Sequence, residues 1–194
     1  MNENKFMDKN FLNSTKLLFK MYKQLAEKAI AQIADDQLGW QANEDCNSII
    51  TIVKHMHGNM LSRWTDFLTS DGEKPWRQRD NEFENEVMDR QQLMKNWEQG
   101  WQCVFDTLDK LTEPDLEKVV YIRNEGHTAM EAINRQVAHY AYHVGQIVFC
   151  AKLLSKNGWE TLSIPRNKSN EYNKEKFSTE KAQKHFASDW VDKK

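Results

Sequence analysis

The chain has 194 residues, 39% of them hydrophobic and 29% charged, with a formal net charge of -2. That length suits a single domain with its own core, and only 7 Gly and 3 Pro favour long helices over a turn-rich β architecture. The 27 basic and 29 acidic residues are well mixed, which excludes the field that draws in nucleic acid or anionic lipid.

Three scattered cysteines, Cys46, Cys103 and Cys150, fit reduced thiols better than a disulfide framework. The opening MNENKFMDKN is polar and lacks the apolar run of a secretion signal, and no later stretch approaches the length of a membrane span. A soluble, cytoplasmic protein is expected.

From Phe6 to Ile33, Phe11, Leu18 and Leu25 alternate with Thr15, Tyr22 and Ala29 at spacings of three and four, which predicts a long amphipathic helix. ADDQLGWQANEDCN turns the chain, and a second helix opens near Asn47 or Ser48. It is expected to run to about Thr69 on a stripe of Ile49, Val53, Met56, Met60 and Phe67. Residues 70–87 hold Gly72, Pro75 and dense charge: too polar for a core helix, and long for a connection without a task.

Leu93, Trp97, Trp101, Phe105 and Leu108 mark a third helix from about Asp89 to Leu111. Residues 112–127 break the pattern, with VVYI as a short extended piece. Thr128 followed by Glu131 has the form of a capping box that starts a fourth helix, running through Ser155 and ended by Gly158. Beyond Pro165 the chain contains no Leu, Ile or Met and belongs on the surface, partly disordered, although Phe177, Phe186 and Trp190 argue that some of it docks. The expected organisation is all-α: an antiparallel four-helix bundle over residues 1–164 and a polar, charged tail over 165–194. Facing helices of such a bundle are a usual place for a metal site.

Two of the six histidines stand four apart in AHYAYHVGQ, so His139 and His143 lie one above the other at about 6 Å of rise and can reach one ion. Their stripe continues through Ala132, Gln136, Gln146 and Cys150; Cys150, about 10 Å past His143, is out of ligand range. KHMHGNM offers His55 and His57 on different faces of the second helix, so at most one can meet that pair. His55 shares its side with Asn59, Ser62 and Asp66, whereas His57 sits beside Ile50, Leu61 and Trp64 in a packing position. The competing bland reading is a set of hydrogen-bonded core histidines with no ion. Three nitrogen donors would leave a coordination position open, the mark of a reactive site rather than a closed structural one. Zinc, nickel and iron all suit such donors.

These pieces resemble the DinB or YfiT-like superfamily of metal-binding bundles, which carry a histidine on the second helix and an HxxxH followed by Gly-Gln on the last. The matching segments are SIITIVKH, from Ser48 to His55, then His139, His143 and the trailing VGQ of residues 144–146. The resemblance spans roughly residues 6–157 and implies His55, His139 and His143 as the metal ligands. GNMLSRWTDFLTSDGEKPW also resembles an uncharacterised branch of that superfamily. Some members resemble thiol-dependent S-transferases or isomerases that use bacillithiol or mycothiol. The resemblance therefore implies a metal-dependent S-transferase or hydrolase with a small-molecule substrate, a low-molecular-weight thiol as cofactor, and a homodimer. The alternative is a bundle that binds metal or senses a ligand without turnover.

Other residues read as ordinary. Trp40, Trp64 and Trp76 could line a pocket but sit where core aromatics sit. Asp66 lies about 16 Å beyond His55 along a helix. The charges of EKPWRQRD could grip an anionic substrate, though such clusters usually face solvent, and His127 and His185 lack a partner at ligand spacing.

Overall fold

The computed structural model describes residues 3–84, 86–155 and 158–191, with side chains described from residue 10 to residue 190 except at those gaps. Phe6 thus lies within the first helix, but its side chain falls outside the described residues. The helices are α1 (Glu3–Ile30), α2 (Ile49–Trp64), α3 (Arg90–Lys110), α4 (Ala129–Leu154), α5 (Ser169–Phe177) and the single turn α6 (Ser188–Val191). The strands are β1 (Val119–Ile122) and β2 (Glu125–Thr128). The protein is an all-α bundle, and among the described residues no helix is long and apolar enough to cross a membrane.

The helix starts follow from capping. Ser48 Oγ accepts from Thr51 N (3.1 Å) and Asp89 Oδ1 from Gln92 N (2.7 Å). Thr128 and Glu131 close the expected box, with Glu131 N donating to Thr128 Oγ1 (3.2 Å) and Thr128 N to Glu131 Oε2 (2.8 Å). The ends differ from the periodicity. α1 stops at Ile30 because Gln32 and Ile33 bond three residues back, to Ala29 and Ile30, which tightens the last turn. α2 stops at Trp64, five residues before the expected Thr69. Thr65 is extended, Asp66 has φ 50°, and Phe67 folds back to stack on Trp64 at 5.3 Å. The apolar stripe survives the break because Phe67 reaches the same core from outside the helix. α4 ends at Leu154, capped by Ser155, before Gly158.

Helix directions are set by cross-links. Lys16 pairs with Asp109 and Lys23 with Glu98, so α1 and α3 are antiparallel. His57 meets Gln99 (3.1 Å) and Thr107 Oγ1 donates to Trp64 O (3.0 Å), so α2 and α3 run the same way. Gln37 just past α1 bonds Leu154 O at the end of α4 (3.2 Å), so α1 and α4 run one way and α2 and α3 the other, and the chain must travel back the length of α2 before α3 can start. That return is residues 65–89. It runs along α2, tied at Ser62 to Gly72 O (2.6 Å), at His55 to Glu82 and at Lys54 to Glu86 (2.7 Å). The polar, charge-dense segment is the second wall of α2's polar face.

The expected extended piece at VVYI is the first strand of a hairpin, Val119 pairing Thr128 and Ile122 pairing Glu125. Arg123 and Asn124 at its tip both have positive φ, 57° and 64°, the two-residue turn that matches strand twist. Asp71 accepts from both their backbone N–H groups at 2.9 Å, which fastens the hairpin to the return segment.

The core is a cluster of rings. Phe19, Trp64, Trp97, Trp101 and Tyr140 are each at most 1% exposed, with Phe19 5.4–5.9 Å from the rings of Trp64, Trp101 and Tyr140. In the tail, α6 packs on α1: Ala187 is fully buried, His185 Nε2 lies 2.9 Å from Ser14 Oγ, and Lys28 sits 5.8 Å over the Trp190 ring. Phe177 and Phe186 stay exposed, so the docking runs through Ala187 and Trp190.

Candidate metal centre

His55 lies two turns into α2, on the face turned to α4, and His139 and His143 project from successive turns of α4. His55 and His143 are buried and His139 is half-buried. Their Nε2 atoms converge: His55 to His139 is 3.2 Å and His139 to His143 is 3.0 Å. Nitrogens bound at about 2.0–2.1 Å around a tetrahedral ion stand about 3.4 Å apart, so the spacing is close to that of a ligand set. The three rings form a group that could hold a metal ion, with one donor atom from each within 4.8 Å of the others.

The outer nitrogens explain the orientation. His55 Nδ1 is 2.9 Å from Glu82 Oε2, and His143 Nδ1 is 2.8 Å from Gln146 Oε1. A carboxylate and an amide carbonyl only accept, so both Nδ1 atoms donate, and in the neutral rings both Nε2 lone pairs point inward. A single N–H on His139 Nε2 can satisfy only one of those two neighbours. Three imidazoles clamped this way repel unless a proton or a cation lies among them, and the outer-shell pattern of His–carboxylate and His–carbonyl is the one that metal ligands use.

Glu82 is held in turn by Arg77, whose Nε reaches Oε1 (2.7 Å) and whose second terminal nitrogen reaches Oε2 (2.8 Å). Burial raises the Glu82 pKa, but the hydrogen bonds from His55 and Arg77 outweigh it and hold the carboxyl below its usual range. The arrangement needs Gly58: a Cβ there would collide with the Glu82 carboxylate. None of this was legible beforehand, since Glu82 is one of six acidic residues in 70–87 with no spacing to α2 that singles it out. Gln146 was visible, at three residues beyond His143 on the same face.

Burial, then the neighbouring His143 and His55, lowers the His139 pKa to about 3. Burial, with a smaller contribution from His55, lowers His143 to about 4. Both folded values lie under the free value of about 6.5, so between them the unfolded chain binds more protons and stability rises with pH. Metal-free protein in chelator is therefore expected to lose stability as pH falls from about 6.5 towards 4, read from urea midpoints. A His139→Gln/His143→Gln double variant should show a flatter dependence over that window; an equal slope in both proteins would contradict this origin.

The other candidates are placed elsewhere. His57 packs towards α3 on Gln99, and burial lowers its pKa. Trp64 is core, its Nε1 donating to Tyr140 Oη (2.8 Å), which donates to Asn59 Oδ1 (3.2 Å). Trp40 is exposed on the loop before α2. Exposed Trp76 borders a groove of about 490 Å³ with Lys54, His57 and Met88; it shares Arg77 and Glu82 with the centre, but none of the three histidines lines it. Asp66 sits in the turn that ends α2, and His127 in β2 with its Nε2 buried and unpartnered.

Fold and site together define a helical bundle with a three-histidine centre between α2 and α4, backed by a carboxylate and an amide. Residues 7–168 match the family described as "Protein of unknown function (DUF1572)", and the chain belongs to that family. No curated protein and no solved structure matches it.

Proposed function

We propose that the protein is a metal-dependent enzyme of the DinB/YfiT-like superfamily, a thiol-dependent S-transferase or hydrolase whose single divalent ion is held by His55, His139 and His143. The observation that carries the reading is the convergence of the three Nε2 atoms with the outer nitrogens of His55 and His143 already committed to Glu82 and Gln146. When bound, zinc, nickel or iron in such a set lowers the pKa of a water or thiol at its open position and supplies a nucleophile at neutral pH. Glu82 and Gln146 orient the rings, and Arg77 keeps Glu82 ionised. The small-molecule substrate, a thiol such as bacillithiol, the homodimer and the cytoplasmic setting rest on the resemblance of SIITIVKH and HYAYHVGQ to that superfamily.

A second reading, a bundle that binds metal or senses a ligand without turnover, is favoured by one feature. Both Glu82 oxygens are engaged by His55 and Arg77, so the carboxylate nearest the centre is not free to move protons. Purifying untagged protein with its native metal and screening thiol-transfer and hydrolysis substrates separates the two. The enzyme reading expects about one equivalent of metal and a turnover lost in His139→Ala; metal without turnover in either protein would favour the second reading, and no metal would remove both.

A further inference from the structure

The return segment delivers a second group to the centre besides Glu82. Phe83, the next residue, places its ring 4.9 Å from the His55 ring, tilted by 36°, and the guanidinium carbon of Arg79 stands 4.9 Å over the Phe83 ring. The positive charge is thus linked to His55 through the Phe83 ring, by one cation-over-ring contact and one ring-to-ring contact. Stacking holds it there: an arginine over an aromatic face keeps its planar fork ordered while leaving the N–H donors free.

Among the described residues those donors make no side-chain hydrogen bond. Arg77 spends its fork on Glu82, Lys54 pairs with Glu86 (2.7 Å), and Lys74 bonds Ser70 Oγ and Asp71 O. Among the described residues Arg79 is in no ion pair, although exposed Asp80 follows it directly and exposed Glu84 stands five residues on. The charge balance of the centre points the same way. Three neutral imidazoles offset none of a divalent ion's charge, and Glu82 is already neutralised by Arg77. A ligand that brings its own negative charge is therefore the one that this surface complements.

We infer that Arg79 is the anion-binding residue of the histidine centre, and that the small molecule taken there carries a carboxylate or phosphate beside the group that reaches the metal. The inference rests on the metal reading above. An aromatic or flat apolar body suits the same place, because half-buried Phe83 and exposed Tyr142, whose ring is 4.9 Å from His143, flank the histidines.

The test uses the full chain reconstituted with cobalt(II), whose visible absorption responds to ligands at its open position. Wild type, Arg79→Gln and Arg79→Lys are titrated with benzoate, phenylphosphonate and the neutral benzamide. Losing one charge-assisted contact should weaken the anions by about tenfold in Arg79→Gln. Arg79→Lys should recover part of that, and benzamide should bind all three alike. The preferred anion then tells carboxylate from phosphate. Equal anion affinity in wild type and Arg79→Gln overturns the inference, as does a parallel loss of benzamide, which would mean a merely structural change. Wild type that takes up no cobalt overturns the metal reading and this inference with it; wild type that takes up cobalt but binds anions without regard to Arg79 overturns the inference alone.

Discussion

Replacing His143 with alanine is expected to reduce retained metal from about one equivalent to under a tenth after dialysis. His143 contributes one of three inward lone pairs, and its ring is fixed by Gln146 and buried against α2. Two nitrogens on separate helices remain, at His55 and His139, which hold a divalent ion far less tightly than three. Glu82→Gln provides the graded comparison. It keeps the shape but loses the charge that the His55 Nδ1–H donates to, and outer-shell losses of this kind typically cost 10–100-fold in affinity. The order wild type, Glu82→Gln, His143→Ala should hold in competition with a chromophoric chelator. Stability gives an independent readout: at a metal concentration 100 times Kd, binding adds about 2.7 kcal/mol to the wild type, and His143→Ala should show no such rise. Equal metal retention in wild type and His143→Ala would remove the three-histidine centre.

The second large effect is on the fold. Trp101→Ala is expected to destabilise the protein by about 3–5 kcal/mol, the range for deleting a buried Trp or Phe, and to lower Tm by about 10 °C in a chain of this size. Trp101 is fully buried, with Phe19, Trp97, Phe105 and Tyr140 rings at 5.5–5.7 Å. Residues from α1, α3 and α4 meet on it, so no single helix shift can fill the cavity. Trp101→Phe should cost much less, because it keeps a ring in place and removes an indole Nε1–H that is buried without a partner. Calorimetry of the three proteins checks the order, and a Trp101→Ala loss below about 1 kcal/mol would mean that the ring cluster is not the centre of the core. Metal retention should be less affected, since Trp101 touches none of the three histidines; the nearest link runs through Tyr140, whose ring is 5.6 Å from His139.

Much of the bundle was legible because helix-forming information is local. Capping by Ser48, Asp89 and the Thr128–Glu131 box depends on residues within three positions of one another, and the stripes of α1 and α3 depend on a repeat of three to four. Where a helix stops was less legible. Trp64 to Thr69 reads as continuous because Phe67 falls on the apolar stripe, yet the turn at Thr65–Asp66 lets Phe67 stack on Trp64 and sends the chain back along α2.

The sequence by itself determined the helical class, the two histidines four apart on α4 and the choice of His55 over His57: a helix allows only one of two residues spaced by two to face a given neighbour, and Asn59 and Ser62 beside His55 against Ile50, Leu61 and Trp64 beside His57 decide which. Tertiary structure decided the rest of the centre. Parallel α2 and α3 require a long return, and that return places Glu82 and Phe83 against His55 from 27 and 28 residues beyond it, and Arg79 over the Phe83 ring. Contacts at such separation follow no helical period. They depend on which way each helix runs, and that is settled only when the apolar stripes pack against one another.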